Sequence, residues 1–126
     1  MRARLFAVVA AATLVLSACG GASPYVRGMT SQQKAQARSV PVHRETLPDG
    51  TYRLVEHVQG VSCRVNAIDN DRVSEEEAIE ELRYATLKAG ATAVMEVRCH
   101  RPSLTESQYA CAESVVCKGV AIIPLR

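Results

Sequence analysis

The stretch "SEEEAIEELRYATLKAGATAVMEVRC", Ser74 to Cys99, changes hydrophobic period partway along. Ser74 and Glu77 form the S-x-x-E signature of a capping box, in which each side chain satisfies a backbone donor of the other residue. Glu75, Glu76 and Glu77 fall in the first turn, where the helix dipole favours negative charge. Ala78, Leu82, Ala85, Thr86 and Ala89 then make one apolar stripe at helical spacing, with Ile79 at its edge. Lys88 sits in the last turn, and Gly90 is the natural C′ residue. The spacing therefore predicts a helix opened by Ser74 and closed at Gly90. Its acidic run reads as a solvated face matched to the dipole, not as a carboxylate or metal centre. Beyond Gly90, "TAVMEVRC" (92–99) has the β-branched, alternating character of a strand.

Working outward, Pro48-Asp49-Gly50 is a turn, and "TYRLVEHV" (51–58) alternates Tyr52, Leu54 and Val58 against polar neighbours. Gly60 and Ser62 are expected to break this first strand just before Cys63. Residues 64 to 72 read as a loop, with Asn66, Asp69, Asn70 and Asp71 supplying turn chemistry. On the other side, "SVVCKGVAIIPL" (114–125) is a third strand. A right-handed helical crossover makes the first two strands parallel if they share a sheet, and the last two are antiparallel neighbours. The expected fold is α+β: a small β-α-β-β domain over residues 48–126, its helix packed on a short mixed sheet.

Such a domain lacks bulk. The chain has no Trp, four Tyr and a single Phe at position 6, so Val, Ile, Leu and Ala must make the core. A core of about 80 residues built this way is marginal without covalent staples. Four cysteines answer that need. Cys63 follows the first strand, Cys99 ends the second, Cys117 lies near the start of the third and Cys111 is in the loop before it. The topology gathers all four at one end of the sheet, and gathered, even-numbered cysteines in an exported chain are normally disulfides. Three pairings are open on spacing alone. Joining Cys99 to Cys117 would link opposite hairpin positions, a closure the chain-entropy model values at roughly 3 kcal/mol. A zinc site built from Cys63, Cys99, His100, Cys111 and Cys117 is the rival; the lack of a C-x-x-C pair and an oxidising compartment weigh against it. His43 and His57 have no catalytic context, and no thioredoxin-like motif, nucleophile elbow, P-loop or dinucleotide fingerprint is present. No cofactor, metal or enzymatic activity is expected.

The fifth cysteine, Cys19, belongs to a different feature. Arg2 and Arg4 precede an uncharged apolar run from Leu5 to Leu16, which is short of the roughly 20 residues that span a bilayer. Residues 1–18 read as a signal peptide. Leu16-Ser17-Ala18-Cys19 resembles the bacterial lipobox, whose cysteine thiol receives a diacylglycerol and becomes the new N-terminus. Several acyl chains on one residue hold a protein to a bilayer where one would be marginal. Gly20 follows; in the lipoproteins this resembles, an aspartate there favours the inner membrane, so Gly20 implies the outer one.

Between Gly20 and Arg44 the bases Arg27, Lys34, Arg38 and Arg44 stand without any acid. Residues 19–47 are expected to be a flexible basic linker, rich in Gly, Ser and Gln and without sustained periodicity. The rest of the mature chain carries the compensating negative charge. Neither charge runs nor aromatic interleaving points to nucleic acid.

Taken together, Gly60-Val61-Ser62-Cys63, the helix running into "KAGATAV" (88–94), Cys99, and the closing "CAESVVCKG" (111–119) resemble the RcsF family. These are outer-membrane lipoproteins that sense envelope damage for the Rcs phosphorelay. The resemblance implies a first-to-third and second-to-fourth pairing, which here is Cys63–Cys111 and Cys99–Cys117. It also implies a lipid-anchored, non-enzymatic sensor in the periplasm. Its partners would be outer-membrane barrel proteins with their assembly machinery, and an inner-membrane phosphorelay regulator. A structural or assembly lipoprotein without signalling, and a metal- or ligand-binding lipoprotein, are the alternatives.

Overall fold

The computed structural model describes residues 29–64, 73–103 and 111–126. The elements run α1 (Ser31–Arg38), β1 (Tyr52–Arg64), α2 (Glu75–Lys88), β2 (Ala93–His100) and β3 (Glu113–Pro124). The fold is α+β, as expected. The three strands form one sheet in the order β1-β3-β2. β1 and β2 do point the same way, but β3 lies between them, so both pairings are antiparallel. Among the described residues, parallel pairing is confined to the isolated bridge between Val42 and Val94.

The helix α2 forms where its local signals put it. The Ser74 hydroxyl accepts from the Glu77 N–H at 3.1 Å, and Gly90, at φ 80°, donates its N–H to the Leu87 carbonyl. Ala78, Leu82 and Thr86 are buried, with Ala85 at the edge of the stripe. Glu81 departs from the expected solvated face: it is 3% exposed. The core under α2 consists of Val40, Val73, Ala78, Leu82, Val94, Val97, Val115 and Cys117.

The expected break in the first strand does not occur. β1 runs through Gly60 and Ser62 to Arg64 and pairs with β3 over that length. Gly60 is there because α2 presses onto it. An ideal Cβ at this position would lie 2.0 Å from the Ala78 carbonyl oxygen and 2.4 Å from the Leu82 nitrogen. A glycine inside a strand often marks such a close backbone approach.

The flexible linker expected over 19–47 is corrected for its described part, residues 29–47. Thr30 caps α1 in a reciprocal box with Gln33, whose side chain accepts from the Thr30 N–H at 2.8 Å. Met29, Ala37 and Val40 are buried. The chain then lies along the outer edge of β2 as a strap. Val94 donates to the Pro41 carbonyl and Glu96 to the Glu45 carbonyl, while His43 donates to Val94 and accepts from Val97. The polar composition concealed a capped helix and a strap held by backbone hydrogen bonds. The domain therefore begins well before residue 48. The loop expected at 64–72 lies outside the described residues, apart from Arg64, which belongs to β1.

Candidate functional site

Cross-strand partners point to the same face of a sheet, and successive residues to opposite faces. Cys117 is opposite Gly60 on one side and Cys99 on the other, so this row lies under α2. The next row, Gln59–Lys118–Arg98, faces away from the helix.

At the end of the sheet where the cysteines gather, both bridges form. Cys63 joins Cys111 with a Cα separation of 5.6 Å, and Cys99 joins Cys117 at 4.0 Å. Cys99 and Cys117 are register partners on neighbouring strands, which brings them within bonding reach without any loop to bend. Cys117 is fully buried and Cys111 nearly so. The Arg44 guanidinium reaches the Cys99 sulfur at 3.9 Å while pairing with Glu75 at 2.6 Å, so the strap is fastened to both β2 and the start of α2. Arg64 and Arg101 both pair with Glu113, at 3.0 and 2.8 Å, near the start of β3.

With all four sulfurs in disulfides, none is a thiolate for zinc. Among the described residues no three His, Cys, Asp or Glu side chains are placed to hold a metal. Their helices include none long and apolar enough to cross a membrane. Cys19, the expected lipidation site, lies outside the described residues.

Sequence reasoning missed the face opposite α2. Its two ends differ. At one end Ala93, Met95, Val120 and Ile122 make a second small core, with Leu47 and Tyr52 packed against it. Towards the other lies an open cleft of about 860 Å³ that crosses the sheet from Arg44 and Thr46 to His57. Arg98 and Lys118 stand directly opposite each other on its floor, both exposed. His57 is opposite Val120 and His100 opposite Val116, so the two imidazoles flank the cation pair along this face. Glu96 lines the same cleft and accepts the Thr46 hydroxyl at 2.8 Å.

A bulge shapes this floor. Glu96 and Val97 together stand opposite Gly119, because the register passes from Met95–Val120 to Arg98–Lys118. Glu96 has φ 55°, a left-handed conformation that costs a residue with a Cβ about 1 kcal/mol or more. Gly119 makes room: a Cβ there would lie 2.7 Å from a Val94 methyl and 3.0 Å from the Met95 carbonyl oxygen. The Lys118-Gly119 pair in "CKG" is legible in the sequence, but nothing local announces the bulge on the partner strand.

No family model matches the chain, and no curated protein matches it. Among solved structures it is similar to a protein of unknown function from Pediococcus pentosaceus ATCC 25745, which belongs to the DUF74 family. That likeness has a TM-score of 0.50 at 15% identity and covers 68% of this chain and 98% of the other. It concerns the fold alone.

Proposed function

We propose that the protein is an outer-membrane lipoprotein that senses envelope stress and relays it to an inner-membrane phosphorelay regulator by protein–protein contact. The observation that carries this reading is the crossed disulfide pair, Cys63–Cys111 and Cys99–Cys117, the pairing that the RcsF resemblance implies. Two sulfur bridges make a small domain rigid enough to present a fixed surface, and a lipid on Cys19 would restrict where that surface can go. In this reading the chain performs no chemistry. Its output is contact, gained or lost as the envelope changes.

A deletion strain tests the reading. Exposed to outer-membrane damage, it should fail to induce the phosphorelay's target genes, and wild-type protein should restore the response. A Cys19→Ala protein, unable to take the lipid, should not. Full induction in the deletion strain would remove the sensing role and leave a structural or assembly lipoprotein.

A further inference from the structure

Resting on that reading of the domain as a contact module, we propose that the cleft opposite α2 takes an acidic polypeptide segment whose carboxylates are held by Arg98 and Lys118. Like charges placed directly opposite on neighbouring strands repel, and the fold gains nothing from this arrangement by itself. Other arginines do find a glutamate, as at Arg44–Glu75, Arg64–Glu113 and Arg101–Glu113, while Arg53 and Arg83 form no ion pair among the described residues. Arg98 and Lys118 have no ion pair or side-chain hydrogen bond to another described residue. They project from the floor of a concave cleft, between His57 and His100. An arginine fork beside a lysine point charge suits carboxylates.

The shape and the sign pattern both favour a polypeptide. From the strap across β2 and β3 to β1 is about 14 Å at the usual strand spacing, the length of about four extended residues. Glu45 and Glu96 line the same cleft. A uniformly anionic lipid surface would meet both carboxylates and would have to enter a concavity. A peptide can set its acids over Arg98 and Lys118 and turn neutral donors towards Glu45 and Glu96. The chain's own segment 20–28 carries Arg27 and no acid, so it offers the two cations no carboxylate.

The test uses the full lipidated chain in neutral detergent, titrated with a labelled glutamate-rich hexapeptide at low salt. The peptide should bind saturably, and the Arg98→Gln/Lys118→Gln variant should bind it about tenfold more weakly or worse. An Arg53→Gln control should bind as wild type. A thermal melt of the double variant no lower than wild type shows that the fold survives. Equal peptide affinity in wild type and double variant would overturn the proposal. So would binding to phosphatidylglycerol vesicles without peptide binding, or saturation that merely tracks self-association of the chain. The two readings separate in cells. A deletion strain that loses the stress response while the Arg98→Gln/Lys118→Gln strain keeps it removes the acidic-segment site alone. Peptide binding through the pair, with a normal response in the deletion strain, removes sensing alone.

Discussion

Cys117 and Lys118 are neighbours in the chain, yet they stand on opposite faces of the sheet and under opposite constraints. Cys117 is fully buried beneath α2, bonded to Cys99, in a row where Gly60 touches helix backbone. Lys118 stands in an open cleft with a second cation facing it across the strand pair. One face is specified by packing, where a single added carbon has nowhere to go. The other carries charge that packing does not require. The covered face therefore explains why the chain folds, and the open face is where a role beyond folding is to be sought.

The contrast predicts unequal responses to substitution. The largest effect belongs to the bridge under the helix. Replacing Cys99 and Cys117 together by Ala should cost about 4 kcal/mol, combining the lost loop constraint with a cavity at a fully buried site. Equilibrium denaturation of the non-reduced protein measures it. A loss below about 1 kcal/mol would mean that the helix side holds without its staple.

Next comes Gly60→Ala. The added methyl meets the Ala78 carbonyl and the Leu82 nitrogen, backbone atoms that cannot rotate aside. The helix must lift, at about 3 kcal/mol, the upper part of the usual overpacking range. Gly119→Ala meets two valine methyls as well as the Met95 carbonyl, and side chains can yield. It should cost less than Gly60→Ala, and the reverse order would contradict the packing described for the helix face, on which both glycines lie.

Third is Glu81. Its carboxylate accepts from the Val61 N–H at 2.8 Å, a buried hydrogen bond that ties α2 to the strand edge. Glu81→Ala leaves that N–H unsatisfied and should cost about 2 kcal/mol; Glu81→Gln keeps an acceptor and should cost less. Amide hydrogen exchange at Val61 reads the bond directly, since its protection should fall in the Ala variant and persist in the Gln variant.

The legibility of the molecule divides along similar lines. The boundaries of α2 could be read because Ser74 and Gly90 act locally, through caps that need no partner. The extent of β1 could not. Gly60 looks like a strand breaker in isolation, and only the arrival of a helix against it turns it into a requirement. Thr30 and Gln33 did spell a capping box, but it was hidden within a polar stretch whose composition suggested a tether. Glu81 continues an acidic run whose first turn faces solvent. Helical spacing nevertheless puts it three residues after Ala78 and four before Ala85, on the flank of the apolar stripe, where Glu80 does not lie. The candidate site was legible in its sulfurs and illegible in its cations. Arg98 and Lys118 are separated by 20 positions in the chain and meet only through register. That register itself depends on a two-residue bulge opposite Gly119.

The smallest effect is the most discriminating, because its sign differs from the rest. On the open face, removing a cation should stabilise the fold. Lys118→Thr takes away the repulsion with Arg98 and puts a β-branched residue on a central strand, for a gain of up to about 1 kcal/mol. Both contributions point the same way, so salt is needed to separate them. Charge repulsion between exposed groups is screened as ionic strength rises, whereas strand propensity is not. The stability gap between Lys118→Thr and wild type should therefore narrow from low salt to about 1 M, where the Debye length falls to about 3 Å. A gap that is constant with salt would assign the gain to propensity alone and leave the cation pair energetically silent. A Lys118→Thr protein less stable than wild type at every salt concentration would mean that the lysine stem packs into the face. The two faces would then be alike in kind, differing only in degree of burial.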